Sequence, residues 1–317
     1  MILKTFMQPS FLFGFLFILV LLIFSYHWPA IFDVNKEKSL ELLTNKYNDE
    51  GTVIAVPPFK PSDVPPFGTD VAGKNLFYQI IDGAKYTILI AFGIAFFRVF
   101  VSVVIALYSP KSKISYLDDL VQATLYIPGT ILAYMLMTAL FSKQAMEPMS
   151  STKLIIMQFF ILIMIGVLPL ISTFSNEINS LLNKDYIVST IALGSKKTYV
   201  YYKHVLPELT EKLVLVFAQQ MIQSLILLAH LGVLAVFIGG SVTLFMGEPL
   251  EPIPFPIPIE GEWAGIIGMS FAKLQVTPWA VLFPLAFFAV TIFAMNLMIR
   301  GIQNSFEVKS RNSGVIK

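Results

Sequence analysis

Hydrophobic positions along this chain fall into long, almost unbroken runs, not into the alternation of a half-buried strand or the one-sided stripe of a surface helix. Six runs stand out: Phe11–Phe32, Ala84–Tyr108, Leu117–Phe141, Leu154–Phe174, Leu213–Gly239 and Trp279–Ile299. A helix crosses the hydrocarbon core of a bilayer with about 20 mainly apolar residues. The pattern therefore predicts an all-α, polytopic membrane protein with six transmembrane helices. The first run ends in Tyr26-His27-Trp28-Pro29. Lys4 would make it a thin signal peptide, but no small-x-small cleavage site follows. Tyr and Trp there read as an interfacial aromatic belt, which favours an uncleaved helix.

Polar stretches between the runs set the organisation. Asp33–Gly83 is long, polar and proline-rich around Pro57–Pro66, and Gly247–Glu262 contains Glu248-Pro249-Leu250-Glu251-Pro252-Ile253-Pro254-Phe255-Pro256-Ile257-Pro258. Prolines at that spacing exclude a helix and predict extended, polyproline-like backbone. A lid and a loop packed over the mouth of the bundle both fit. Lysine and arginine gather in one set of loops: Lys111 and Lys113, then Lys184, Lys196, Lys197, Lys203 and Lys212, then Arg300, Lys309, Arg311 and Lys317. The positive-inside rule places these loops and both termini in the cytoplasm. The expected layout is a first helix with a long extracellular segment over 1–83, five helices over 84–306 with a cytoplasmic loop at 184–212, and a tail over 307–317.

Composition narrows the function. Hydrophobic residues make up 56% and charged residues 13% of 317, and mean hydropathy is +0.74. An ordinary soluble domain carries about 25% charged residues, and disorder needs low hydropathy; both are excluded. A net charge of +2 gives no argument for nucleic acid. Without cysteine there is no disulfide, thiol nucleophile or Cys-metal site. His27, His204 and His230 are scattered without ligand spacing, so no metal site is expected. No Ser-His-Asp motif or cluster of catalytic residues supports a membrane enzyme. Gly68-Thr69-Asp70-Val71-Ala72-Gly73-Lys74-Asn75 spells a P-loop pattern but ends in Asn and lacks the strand–loop–helix context. It reads as a turn whose Asp and glycines lead into the next helix.

Polar residues inside the runs are few and costly. Arg98 sits in the second. Gln219, Gln223 and His230 share one face of the fifth, with Gln220 beside it, and Asn296 lies in the sixth. A polar translocation path and interhelical hydrogen-bond glue are the two readings. Gly232, Ala235 and Gly239 suit close helix packing.

The segment Lys184–Lys212 is too apolar for a solvated connector. Its order predicts a short apolar helix, a break at Gly194, and a second basic-aromatic helix, with Pro207 setting the exit. Here the residues resemble the EAA loop of binding-protein-dependent ABC importer permeases: Gly194 is followed thirteen positions later by Pro207, in Lys203-His204-Val205-Leu206-Pro207. The resemblance extends to Pro66-Phe67-Gly68-Thr69-Asp70-Val71-Ala72-Gly73-Lys74-Asn75, to Gly83-Ala84-Lys85-Tyr86-Thr87, to Glu262-Trp263-Ala264, Pro278-Trp279 and Phe283-Pro284, and to Phe293-Ala294-Met295-Asn296-Leu297. Together these resemble the second permease of oligopeptide, dipeptide and nickel importers. The departures are a missing glutamate at Val188-Ser189-Thr190, Ile191 and Leu193 where basic residues are usual, and Lys74-Asn75 for Arg-Asp.

The resemblance implies the ABC importer permease fold in a bacterial plasma membrane. It implies ATPase-coupling residues Ser189, Thr190, Ala192, Gly194, Lys196, Lys197, Lys203, His204, Leu206 and Pro207. It also implies an outer motif of Gly68, Thr69, Asp70 and Gly73. The implied partners are a homologous second permease, two ABC ATPases that use ATP and Mg, an extracellular substrate-binding lipoprotein, and an oligopeptide or dipeptide. This chain itself would bind no cofactor and catalyse nothing. A permease for nickel or another small solute, and a non-transporting regulatory subunit, are the other readings, the last favoured by the missing glutamate.

Overall fold

The computed structural model describes residues 8–33, 40, 46–47, 53–108, 126–146, 149–246, 253–259 and 261–314. Long helices dominate: α1 Pro9–Ile31, α2 Leu76–Tyr108, α3 Gly129–Met146, α4 Ser151–Leu182, α7 Leu206–Val233 and α9 Trp279–Gly314, with short helices α5 Asp185–Ala192, α6 Lys197–Val200 and α8 Trp263–Phe271. Five stretches are long and apolar enough to cross a membrane: Pro9–Ile31, Leu76–Tyr108, Ser151–Leu182, Thr198–Val233 and Trp279–Phe306. The run expected as Leu117–Phe141 begins outside the described residues, as do Lys111 and Lys113, and α3 is its described part.

Several helices overrun the hydrophobic runs that predict them. Helix α2 starts at Leu76, ahead of the expected boundary at Ala84. Asn75 Oδ1 accepts from the Phe77 amide at 3.1 Å, which caps the start. The polar residues that suggested an end are instead paired: Lys85 Nζ lies 2.6 Å from Asp82 Oδ1 one turn earlier. Trp28 of α1 donates its Nε1–H to the same carboxylate oxygen at 3.0 Å. Ser25 Oγ accepts from the Lys85 amide at 3.1 Å and donates to Asp82 O at 3.2 Å. Trp28 is fully buried and stacks on Tyr78, so it belongs to the α1–α2 contact and not to a lipid-facing belt. At its other end α1 lies against α9, where Phe11 backs onto Gly301 and Gly14 onto the Ala294 carbonyl.

The expected fifth run to Gly239 is too long. Helix α7 stops at Val233, Ala235 takes a positive φ of 56°, and the chain turns back. Strand β3 (Ser241–Met246) then pairs antiparallel with β4 (Ile253–Pro258), from Ser241 opposite Pro258 to Met246 opposite Ile253. The proline repeat is extended as expected, but as one arm of a hairpin, with its acidic start over 247–252 outside the described residues. A smaller hairpin pairs β1 (Lys46–Tyr47) with β2 (Val53–Ala55).

Helix α8 follows, only nine residues long and buried on nearly all sides. Gly232 and Gly268 let α7 and α8 touch through backbone, since a Cβ at either would strike the other helix's main chain. Gln158 of α4 is fully buried and clamps the turn before β3: its Nε2 donates to Phe237 O at 2.9 Å and its Oε1 accepts from Gly239 N at 2.8 Å. The hairpin and α5 therefore lie at opposite ends of α4. A central core of Leu76, Ile80, Ile94, Leu162, Trp263 and Phe288 joins α2, α4, α8 and α9.

Candidate functional site

Three arrays of the singled-out residues can be followed through the fold. The first is the turn before α2. Thr69 is fully buried, exchanges hydrogen bonds with Phe59 (its amide to Phe59 O at 3.0 Å, its Oγ1 from Phe59 N at 2.7 Å) and offers its carbonyl to Trp279 Nε1 at 3.2 Å. Asp70 accepts from the Lys74 amide at 2.8 Å and from Gln79 Nε2 at 2.7 Å. Gly68 and Gly73 have φ of 76° and 89°, which only glycine adopts freely. Burial pushes the Asp70 carboxyl up to about 6, against the opposing pull of its hydrogen bonds with Gln79 and Lys74. No open cradle of amides for a phosphate exists here: the residues tie a turn to a helix start.

The stretches around Gly83–Thr87, Trp263, Trp279 and Phe283 meet that turn. Thr87 Oγ1 accepts from the Trp263 amide at 3.0 Å, capping α8, and Trp263 Nε1 donates to Ile80 O at 2.7 Å. Gly83 faces the Gly261 carbonyl so closely that a side chain would not fit. Phe67 stacks on Phe283 at 4.2 Å. Motifs separated by up to about 200 positions thus form one buried junction at the hairpin end.

The second array is the segment between α4 and α7. Helix α5 rests on Ile187, fully buried among Leu181, Val200, Val205 and Leu209. Gly194 then turns the chain at φ 90°, with open space where a Cβ would sit. Ser189 and Thr190 hydroxyls donate to carbonyls one turn back, Asp185 O at 2.8 Å and Tyr186 O at 2.6 Å. Ala192 and Lys196 are exposed, and Lys197 begins α6. A π turn over Tyr201–Val205, holding Lys203 and His204, leads directly into α7. The Leu206 amide donates to Tyr201 O five residues back. Pro207 therefore marks no exit. It lies just after the π turn, within one helical rod that runs over 198–233.

Sequence reading missed the anchor of this segment. Glu208 accepts from Lys184 Nζ at 2.6 Å and from the Tyr186 hydroxyl at 2.7 Å, fastening the start of α5 to the start of α7. Desolvation, and then the Glu208 hydrogen bond and charge, push the Tyr186 phenol up to about 12, so it remains a donor at neutral pH. His204 packs edge-on between Tyr186 and Tyr199. Outward, α5 and its C-cap present Val188, Ile191 and Leu193, the last 88% exposed.

The third array is a cavity of about 320 Å³ among α2, α3, α4 and α7, lined in part by Arg98, Thr130, Gln223 and His230. Arg98 is buried. Its Nε and Nη2 donate to Leu162 O at 3.0 and 2.6 Å, and its Nη1 donates to Gln220 Oε1 at 3.2 Å. Gly166 leaves room for the guanidinium, because a side chain there would overlap it. Arginine can only donate, so the Gln220 oxygen must face it. The Gln220 nitrogen then donates to Gln223 Oε1 at 2.8 Å. Thr130 Oγ1 lies 3.3 Å from His230 Nδ1. The cavity brings together Gln223 and His230 of the expected stripe and adds Arg98 and Thr130. Gln219 and Asn296 do not line it; Asn296 donates to Ile292 O of its own helix at 3.0 Å.

No family model matches the sequence. Curated relatives do. The chain is 24% identical over 255 residues to the oligopeptide transport system permease protein OppC of Haemophilus influenzae, covering 77% of this chain and 70% of that protein. It is 24% identical over 222 residues to the peptide transport system permease protein SapC of the same organism, covering 69% and 65%. Against OppC of Bacillus subtilis it is 21% identical over 261 residues, covering 79% and 75%.

Proposed function

We propose that this chain, an OppC-like relative of the peptide permeases, is the membrane-spanning permease subunit of an ATP-driven importer of oligopeptides or dipeptides. It is a membrane protein by its five long apolar helices, and it sits in a bacterial plasma membrane with the α5 end and both termini in the cytoplasm. The second permease, two ABC ATPases that consume ATP and Mg, and an extracellular binding lipoprotein complete the machine; this chain contributes no catalysis and holds no cofactor of its own.

The observation that carries the reading is α5 with its exposed apolar tip. A contiguous exposed apolar surface marks a site of protein contact. Helix α5 is held rigidly, by Ile187 beneath and the Lys184–Glu208–Tyr186 clamp at its start. A partner gripping it would move α4 and α7 with it, which is what rigid-body coupling requires. Glu208 of α7 supplies a carboxylate at the start of this segment, where it holds Lys184 and Tyr186.

The test is affinity purification of the tagged chain in mild detergent. An ABC ATPase should elute with it, and Leu193→Asp should release the ATPase while the second permease stays bound. A permease pair recovered without any ATPase would overturn the proposal.

A further inference from the structure

The cavity holds a buried positive charge, Arg98. Arg98 makes no ion pair among the described residues, and three of its five N–H groups are used by Leu162 O and Gln220. Two N–H groups remain. The relay through Gln220 fixes the next amide as well: Gln223 spends its oxygen on Gln220, so its NH₂ group is what it has left to offer. Gln223 lies on the cavity wall and is exposed. Every uncommitted hydrogen-bonding group along this chain of three side chains is a donor, and one carries a full charge. Facing them are aliphatic walls, Ile165, Ile226 and Leu227.

A buried ion without a partner costs several kcal/mol, and charged groups within membrane helices mark a substrate path or a partner. Donors around a cation select an acceptor that carries negative charge. The guanidinium fork matches a carboxylate in particular. A volume of about 320 Å³ is far more than a lone carboxylate side chain needs and lies in the range of small-molecule sites.

We propose that Arg98 and Gln223 bind the carboxylate of the transported peptide, with an apolar side chain of that peptide against Ile165, Ile226 and Leu227. The assignment rests on the peptide-import reading and names the chemical group recognised within the membrane. Thr130 and His230 close the far side of the same cavity at 3.3 Å from each other.

The native chain has no cysteine, so Ile226→Cys in the assembled importer, held in lipid nanodiscs without binding protein, gives a single reporter on the cavity wall. Its labelling rate by a small maleimide is followed with trialanine, N-acetyl-trialanine and trialanine amide. Both free carboxylates should slow labelling at least five-fold and the amide less than two-fold. Added to the reporter, Arg98→Met should abolish the protection and Arg98→Lys should retain part of it. Gln223→Leu, at an exposed position, should cut the protection to under two-fold, with recovery of the assembled importer measured on the same sample. Equal protection by the amide, or full protection in both Arg98→Met and Gln223→Leu, would overturn the proposal. So would absence of protection by any probe, the result expected if a carboxylate of the partner permease already occupies Arg98. Uptake of labelled trialanine by the complete wild-type importer is measured in parallel. Uptake without protection removes the carboxylate site and leaves the peptide-import reading standing; protection without uptake does the reverse.

Discussion

Asp70 shows how a residue that looks like part of a nucleotide motif can be structural. Its carboxylate is buried and accepts from Lys74 N and Gln79 Nε2. Its carboxyl is raised from 3.8 to about 6, so the folded protein binds this proton more tightly than the unfolded chain does. Folding then takes up a proton between about pH 4 and 6, and stability falls as pH rises through that window, remaining lower above it. Asp70→Asn removes the dependence. The thermal midpoint of wild type minus that of Asp70→Asn should therefore increase from pH 7.5 to pH 4.5, by an amount equivalent to on the order of 1–2 kcal/mol. A difference that shrinks on acidification would contradict the burial argument. Glycine spacing and an Asp suffice to read the turn from sequence, and Gly194 is readable for the same reason, since a positive φ leaves a residue-type signature. Glu208 is not readable: it lies 24 positions from Lys184, and only the fold brings them together.

At the scale of elements, long apolar runs announce helices because their length alone meets the bilayer requirement. Helix α8 escapes this logic. Nine residues are too few to cross, and burial on all sides erases any polar stripe that would mark a helix. The β3–β4 hairpin escapes it too, because Val236–Gly239 continues the apolar run of α7 while the backbone has already turned at Ala235. The joint between α1 and α2 carries a sharper expectation. Asp82 is the hub for Lys85 and Trp28, so Asp82→Leu strands a buried ammonium and should cost about 3 kcal/mol. Adding Lys85→Met removes the stranded charge and should recover at least half of that loss in thermal denaturation of the purified complex. A double variant as unstable as the single one would mean that packing, and not the ion pair, joins these helices.

For the whole molecule, four of the stretches that resemble a peptide permease prove to be neighbours: the Thr69–Asp70 turn, the Gly83–Thr87 stretch, Trp263 and Trp279 close one junction at the hairpin end, while α5 stands at the other. The proposed orientation rests on the charge distribution, and it can be read with single cysteines. Ser62→Cys should react with an impermeant reagent applied to intact cells, and Ser195→Cys should react only after the membrane is opened. Labelling of position 195 from outside would reverse the assignment of ends.

In the proposed function, ATP hydrolysis by bound ATPases drives peptide through this chain by way of α5. The most direct measurement is uptake of a labelled tripeptide into proteoliposomes containing the complete importer, compared between wild type and Gly194→Val. Open space surrounds Gly194, so valine clashes with nothing there; the φ of 90° disfavours it, and the turn between α5 and α6 should change. Wild type should show ATP-dependent uptake and the variant at least a ten-fold loss, with the permease pair still assembled. Uptake unchanged by Gly194→Val, or peptide entry that needs no ATP, would contradict it.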